Sequence, residues 1–199
     1  FRTPMPASAE VVYDWHCRPG AFERLSPPWE SVKVIEHTGG IEDGGRVVLA
    51  VRAGGLWRRW VAEHCDVGDG RQFCDVQTEG PFAHWHHCHR VIPDGPHNCF
   101  LEDDIEFALP LGQVGSFFGG SLVRRKLERM FRYRHRITAA DLSLHQKYSR
   151  GQAMKIAVTG STGLVGSALL PFLTTGGHHV VRIVRTGSVA ANDDVVWDP

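Results

Sequence analysis

The stretch Gly44-Gly45-Arg46-Val47-Val48-Leu49-Ala50-Val51-Arg52-Ala53-Gly54-Gly55 places a short apolar run between two pairs of glycines. β-Branched residues favour extended backbone, and paired glycines favour tight turns. The same alternation of runs and turns continues from Val32 to Ala108. This pattern predicts an antiparallel meander of about six strands.

Helical patterns flank the meander on both sides. Ser8-Ala9-Glu10 can cap a short helix that runs through Cys17, and residues 19–25 form a second helical candidate. From Val114 to about His145, apolar residues recur at spacings of three and four, which predicts one long helix. With a first strand ahead of the short helices, this order predicts an α+β domain over residues 1–150.

A second unit is predicted after the polar linker at residues 146–152. Lys155–Thr159 is a short apolar strand that runs into three glycines at intervals of three, and a helical stretch, Ser167–Thr175, follows. Glycines in this setting permit a tight turn and a close backbone approach to a pyrophosphate at a helix N-terminus. We expect dinucleotide contacts from Thr159, Gly160, Ser161, Thr162, Gly163, Leu164, Val165 and Gly166.

The next predicted strand, Val180–Val184, ends at Arg185. An NAD site usually has an acidic residue near this position to hold the ribose 2′-hydroxyl. A guanidinium favours a 2′-phosphate instead, so the sequence predicts NADP rather than NAD as the cofactor. Arg185 is equally compatible with a surface position at a strand end.

The glycine loop with Arg185 resembles the start of an extended short-chain dehydrogenase/reductase of the nucleoside-sugar epimerase type. The resemblance covers residues 151–199 and implies the opening β-α-β part of an α/β Rossmann domain, truncated in this chain. Such enzymes use a Tyr-x-x-x-Lys pair, but Tyr13, Tyr133 and Tyr148 have no lysine four residues later. We therefore expect no reductase or epimerase catalysis from these residues alone. Because the strands that would hold the nicotinamide half are missing, we also expect weak dinucleotide binding or none.

Residues 1–150 resemble the START/Bet v1-like helix-grip superfamily, and within it the cyclase/dehydrase-like module that is fused ahead of epimerase-type domains. The resemblance rests on Pro27-Pro28-Trp29-Glu30, Gly80-Pro81-Phe82, Trp85-x-His87-x-His89 and Met130-Phe131-x-Tyr133-Arg134-His135. It implies an antiparallel sheet wrapped on a long C-terminal helix, with an apolar cavity between them. The implied partner is an apolar or amphipathic small molecule.

Strand and helix periodicity select the residues of this cavity. Asp103 lies on an otherwise apolar strand face and Arg134 on an apolar helix stripe. If both face inward, burial favours their pairing; a twist or bulge would turn one of them outward. The predicted cavity residues are Trp85, His87, Leu101, Asp103, Ile105, Val123, Leu127, Met130, Phe131 and Arg134.

Four histidines between His84 and His89 are potential metal ligands, but strand alternation divides them between two sheet faces. We expect ordinary hydrogen-bonded histidines and no metal. Whether the face of Phe73 and Asp75 is also the face of Trp85 depends on the loop between the two strands, and the sequence leaves that register open.

Composition excludes several classes of function. The 22 basic and 22 acidic residues cancel, which argues against nucleic-acid binding, and the basic face of the long helix is best interpreted as solvated. No apolar run is long enough for membrane insertion. Five cysteines that never follow a C-x-x-C pattern suit neither a disulfide framework nor a zinc ribbon, so a cytoplasmic location is expected.

Three functional hypotheses follow. The first is a two-part protein with an NADP-dependent epimerase- or reductase-like domain and an N-terminal domain that binds an apolar ligand. The second is a non-catalytic ligand carrier that senses dinucleotide. The third is aromatase/cyclase chemistry in the cavity, with His87, Asp75 or Arg134 as acid-base residues.

Overall fold

A seven-stranded antiparallel sheet forms most of the N-terminal part of the protein. The computed structural model describes residues 1–68, 70–148, 152–185 and 194–197. The strands are β1 (Arg2–Met5), β2 (Val32–Thr38), β3 (Arg46–Ala53), β4 (Leu56–Gly68), β5 (Gln72–Glu79), β6 (His84–Pro93) and β7 (Cys99–Ala108). The helices are α1 (Ala9–Cys17), α2 (Ala21–Leu25) and α3 (Gly112–Tyr148).

The strand order β1-β7-β6-β5-β4-β3-β2 confirms the predicted meander. Strands β2 to β7 lie beside their neighbours in sequence, and β1 closes the sheet by pairing with β7. With the long helix packed on one sheet face, this architecture is consistent with the expected helix-grip fold. Helix α3 extends beyond the predicted bounds at both ends.

Two apolar clusters fill the space between the sheet and the helices. One cluster brings α1 and the C-terminal part of α3 against β6 and β7, and includes Trp15, Val91, Leu101 and Leu142. The other packs the middle of α3 on the sheet through Trp85, Leu127 and Phe131. Side chains alternate between the two faces along β6 and β7. The inward positions between the two apolar clusters are occupied by polar residues, which are buried.

Two local expectations are corrected by the structure. Ser8 precedes α1 as its N-cap residue but makes no side-chain capping hydrogen bond. Cys74 and Cys88 form a disulfide, although the cysteine spacing argued against a disulfide framework. The two cysteines lie directly opposite each other on β5 and β6, a proximity that strand register creates and sequence spacing does not reveal.

The C-terminal residues form β8 (Lys155–Thr159), α4 (Leu164–Thr175), β9 (His179–Arg185) and β10 (Val195–Trp197). The three strands make a small parallel sheet in the order β10-β9-β8. Helix α4 packs on the N-terminal part: Arg18 donates to the Thr175 carbonyl at 2.9 Å, and the His145 ring stacks on Phe172. Part of the predicted linker and of the segment after Arg185 lies outside the described residues.

Candidate ligand site

A buried cluster of histidines and aspartates lies between the two apolar clusters. On β6, His87 and His89 occupy the inward positions between Trp85 and Val91, and all four side chains are buried. On β7, Asp103 lies between Leu101 and Ile105 by the same alternation. The burial of Trp85, His87, His89 and Val91 agrees with the strand alternation that placed these four residues on one face, and Asp103 also points inward.

Asp103 is the centre of this cluster. Its Oδ1 atom lies 2.8 Å from Nε2 of His87 and 2.6 Å from Nδ1 of His89. Its Oδ2 atom accepts a hydrogen bond from Nε2 of His135 on α3, and Nδ1 of His135 lies 2.7 Å from the Thr3 hydroxyl. One carboxylate therefore links β6, β7 and α3.

A second carboxylate, Asp75, holds the opposite side of His87. Asp75 pairs with His87 across β5 and β6, which settles the register that the sequence left open: the Phe73 and Trp85 faces are the same face. Asp75 accepts hydrogen bonds from the Trp85 indole at 3.0 Å and from Nδ1 of His87 at 3.1 Å. Both ring nitrogens of His87 therefore contact carboxylates.

These contacts set the charges of the cluster. Burial alone would lower the pKa of His87, but Asp75 and Asp103 outweigh burial and raise that pKa to about 9. Burial also opposes ionisation of Asp75, but the charge and hydrogen bond of His87 bring its pKa down to about 2. Against the same burial, the neighbouring histidines hold the pKa of Asp103 well below its usual range. At neutral pH these pKa shifts favour an imidazolium between two carboxylates.

The pKa values of His89 and His16 are shifted downward, in contrast to that of His87. Burial and the His87 charge lower the pKa of His89, and burial lowers the pKa of His16 to about 4. The two rings are 5.9 Å apart. These pKa shifts favour uncharged imidazoles at His16 and His89 beside the charged His87.

Donor atoms of Asp75, His87 and His89 lie within 4.8 Å of one another, the geometry of a candidate metal site. However, hydrogen bonds to two carboxylates already engage both nitrogens of His87. A protonated imidazole has no lone pair to offer a metal. We therefore interpret the cluster as a hydrogen-bonded network rather than a metal site. Such a network can hold a proton or orient a neighbouring polar group.

The pairing of Asp103 with Arg134 is not observed. Arg134 Nε donates to the Leu25 carbonyl at 3.1 Å, and the guanidinium lies 5.0 Å from the centroid of the Phe131 ring. Among the described residues, the ion pairs of Asp103 are with histidines only. His135 takes the position that Arg134 was expected to fill, because the buried stripe of α3 runs through Leu127, Phe131 and His135 at intervals of four.

The other predicted cavity residues fall into two places. Trp85, Leu127 and Phe131 pack tightly with Ile105, Val123 and Met130, whereas Leu101 belongs to the cluster beneath α1. The adjoining space is a cleft of about 650 Å³ between β7 and the N-terminal half of α3. Its lining comprises Ile105, Glu106, Phe107, Leu109, Gly120, Ser121 and Arg124. Of the predicted set, only Ile105 lines this cleft.

The glycine loop connects β8 to α4. Gly160 has a φ of +65°, which favours glycine, and its carbonyl accepts from the Gly163 amide at 3.0 Å. A Cβ at Gly166 would lie 2.2 Å from the Gly160 carbonyl oxygen, so the helix start and the turn are in close contact. Helix α4 begins at Leu164, three residues before the predicted start, and Leu164 and Val165 are exposed.

Of the remaining loop residues, Ser161 is buried, whereas Thr159 and Thr162 are exposed. Arg185 is exposed at the end of β9. Unlike Arg185, Arg182 is held by a bidentate ion pair with Asp194. The carboxyl ends of β8 and β9 thus bring the glycine loop and Arg185 to one edge of the parallel sheet.

Residues 5–131 match the family described as "Polyketide cyclase / dehydrase and lipid transport". The chain belongs to this family. No curated protein matches the sequence. Within the described residues, no helix is long and apolar enough to cross a membrane.

Several solved structures share the fold of this chain. A nucleoside-diphosphate sugar epimerase from Corynebacterium glutamicum is 30% identical with a TM-score of 0.78; the alignment covers 99% of this chain and 41% of that one. The chain therefore spans less than half of that relative. The Zhui aromatase/cyclase from Streptomyces sp. R1128 is 17% identical, with a TM-score of 0.58 and coverage of 76% and 96%. A START superfamily protein from Mycobacterium smegmatis is 16% identical, with a TM-score of 0.53 and coverage of 72% and 95%.

Proposed function

We propose that residues 1–150 form a domain that binds an amphipathic small molecule in the cleft between β7 and α3. The observation that carries this proposal is the cleft itself, where the apolar side chains of Ile105, Phe107 and Leu109 adjoin the guanidinium of Arg124. Apolar walls and a guanidinium suit a molecule with an apolar body and an acidic group, although the carboxylate of Glu106 also lines the cleft. Membership of a family described by cyclase, dehydrase and lipid-transport functions supports small-molecule binding.

Binding is favoured over aromatase/cyclase chemistry in this domain. The catalytic candidate His87 and its partner Asp103 are each 2% exposed at the side chain, and tight packing of Trp85 and Phe131 lies beside them. An acid-base residue must come within hydrogen-bonding reach of its substrate. The cluster is better placed to stabilise the wall of the ligand site than to exchange protons with a ligand.

The Arg124→Ala substitution should weaken the binding of an anionic amphiphile such as anilinonaphthalene sulfonate. Loss of one charge-assisted hydrogen bond corresponds to an increase in Kd of about tenfold. Fluorescence titration of the 199-residue chain measures the effect. The matched control is Arg125→Ala, since Arg125 is exposed on the same helix and does not line the cleft. Equal weakening by both substitutions would point to general surface charge and contradict the proposed site.

We also propose that residues 151–199 begin an NADP-binding Rossmann unit, and that the protein acts as an epimerase- or reductase-like enzyme in a longer chain. The support is the glycine turn at the start of α4, the parallel order of β8 and β9, and Arg185 at their carboxyl edge. The epimerase named above adds to this support. A non-catalytic dinucleotide sensor is the alternative.

The substitution Arg185→Asp should reverse the cofactor preference from NADPH to NADH. A carboxylate repels the 2′-phosphate and accepts a hydrogen bond from a 2′-hydroxyl. Because weak binding is expected from this chain, the measurement is the shift of the Gly160, Gly163 and Gly166 amide resonances on titration with each nucleotide. Lys155→Asp, an exposed lysine at the opposite end of β8, is the control. An unchanged preference would remove Arg185 from the proposed site.

A further inference from the structure

Three cysteines lie side by side on the sheet face opposite the one that carries Asp75, His87 and Asp103. Cys65 pairs with Cys74 across β4 and β5, and Cys74 pairs with Cys88 across β5 and β6. His86 lies two residues before Cys88 and therefore points to the same side. Register thus assembles three sulfurs and one imidazole from positions that are far apart in sequence.

Each of the three sulfurs lies within 4.8 Å of a ring nitrogen of His86. Donor atoms of Cys74, His86 and Cys88 lie within 4.8 Å of one another, and so do those of Cys65, Asp66 and His86. His86 belongs to both sets. Its Nε2 atom is 3.7 Å from Sγ of Cys88. A tetrahedral zinc ion with ordinary Zn–S and Zn–N bonds separates its sulfur and nitrogen ligands by about 3.6 Å.

The backbone adds negative charge at the same place. Regular alternation would turn Asp66 away from Cys65, but a register shift between Cys65 and Gly68 and a positive φ of 52° at Asp66 interrupt it. The Asp66 carboxylate consequently lies beside Cys65 and His86.

We propose that the reduced protein binds a zinc ion through His86 and the thiolates of Cys65, Cys74 and Cys88. Three thiolates and one imidazole form a donor set that zinc prefers in closed structural sites. This proposal departs from the expectation of no metal, which rested on the division of the histidines between two sheet faces and on the spacing of the cysteines. It does not depend on the proposed ligand cleft, because the two sites are on opposite faces of the sheet.

The disulfide form and the zinc form are two states of the same cysteines. A dithiol reductant transfers two electrons and two protons to the Cys74–Cys88 disulfide and itself becomes a disulfide. Zinc then replaces the protons of three thiols, which are released to solvent. A disulfide sulfur carries no negative charge to offer the metal, so the oxidised protein lacks two of the four ligands.

The test uses the 199-residue chain, reduced with a dithiol that is then removed without oxygen. Titration of zinc against a chromophoric chelator should give one tightly bound ion per chain. Cobalt in its place should show an intense thiolate-to-cobalt charge-transfer band, which the oxidised chain should lack. A reduced chain without this band would overturn the proposal.

Variants identify the ligands. Cys65→Ser, Cys74→Ser and His86→Ala should each weaken zinc binding by at least about tenfold, on the scale seen for groups that support a metal site. Cys17→Ser is the control, since Cys17 is an exposed free cysteine on α1. Should Cys74→Ser fail to fold, His86→Ala decides, because His86 lies outside both apolar clusters. Unchanged affinity in His86→Ala, or an equal loss in Cys17→Ser, would refute the assigned site.

Discussion

Replacing Asp103 with alanine should lower the free energy of unfolding by about 3 to 5 kcal/mol, the range observed when one partner is removed from a buried charge pair. Asp103 is 3% exposed and contacts histidines from two secondary-structure elements. Without it, the His87 imidazolium loses one of its two carboxylates, and His135 loses the acceptor that ties α3 to the sheet. Urea denaturation followed by tryptophan fluorescence measures the change.

The neighbouring residue provides a matched control for this prediction. Asp104 has the same side chain on the same strand but is 57% exposed, where it forms an ion pair with Arg90. Asp104→Ala should change the free energy of unfolding by no more than about 1 kcal/mol, as is typical of surface ion pairs. Similar losses in the two variants would show that the histidine network contributes little to stability.

Stability should also fall as the pH rises from about 6.5 to about 9, because of His87. In the folded protein its pKa is raised from 6.5 to about 9. A base with a raised folded-state pKa contributes its full stabilisation below the unfolded-state pKa and loses that contribution as the pH passes the folded-state pKa. The corresponding loss is on the order of 3 kcal/mol.

Denaturation curves at several pH values within this window test the prediction. The His87→Gln variant should be less stable throughout but nearly independent of pH there. His84→Gln, an exposed histidine on the same strand, should retain the wild-type pH dependence. If the wild type and His87→Gln show parallel profiles, His87 does not titrate between its two carboxylates as described. Asp75 should also make the protein less stable in acid. Its pKa is lowered from 3.8 to about 2 in the folded protein, so its stabilising contribution is lost as the pH falls from 3.8 to about 2.

Local periodicity was sufficient to predict the order of elements and the inward faces of β6 and β7. Residues such as Val91 and Leu101 repeat at intervals of two along their strands, and the burial pattern follows that repeat. Agreement was weaker on α3. The helical repeat admits neighbouring positions, and Arg134 was the candidate partner of Asp103 where His135 is the buried partner. His135 follows Phe131 by four residues, and this spacing could have identified it as the inward-facing polar residue of α3.

Relations between strands were harder to predict than relations within a strand. The pairing of Asp75 with His87 depends on a loop whose length does not specify register by itself. The same limit explains the cysteines: Cys65, Cys74 and Cys88 are separated in sequence yet adjacent across three strands. Counting spacings detects ligands supplied by one loop, and it misses ligands supplied by neighbouring strands.

The contact between Gly20 and α4 limits how the chain can be divided or redesigned. A methyl group at residue 20 would lie 2.7 Å from Cα of Pro171 and 2.8 Å from its carbonyl oxygen. The turn before α2 and the last turns of α4 therefore fit together without a side chain between them. A protein engineer who grafts another nucleotide-binding unit onto this N-terminal domain would have to preserve that glycine and supply a helix of matching shape.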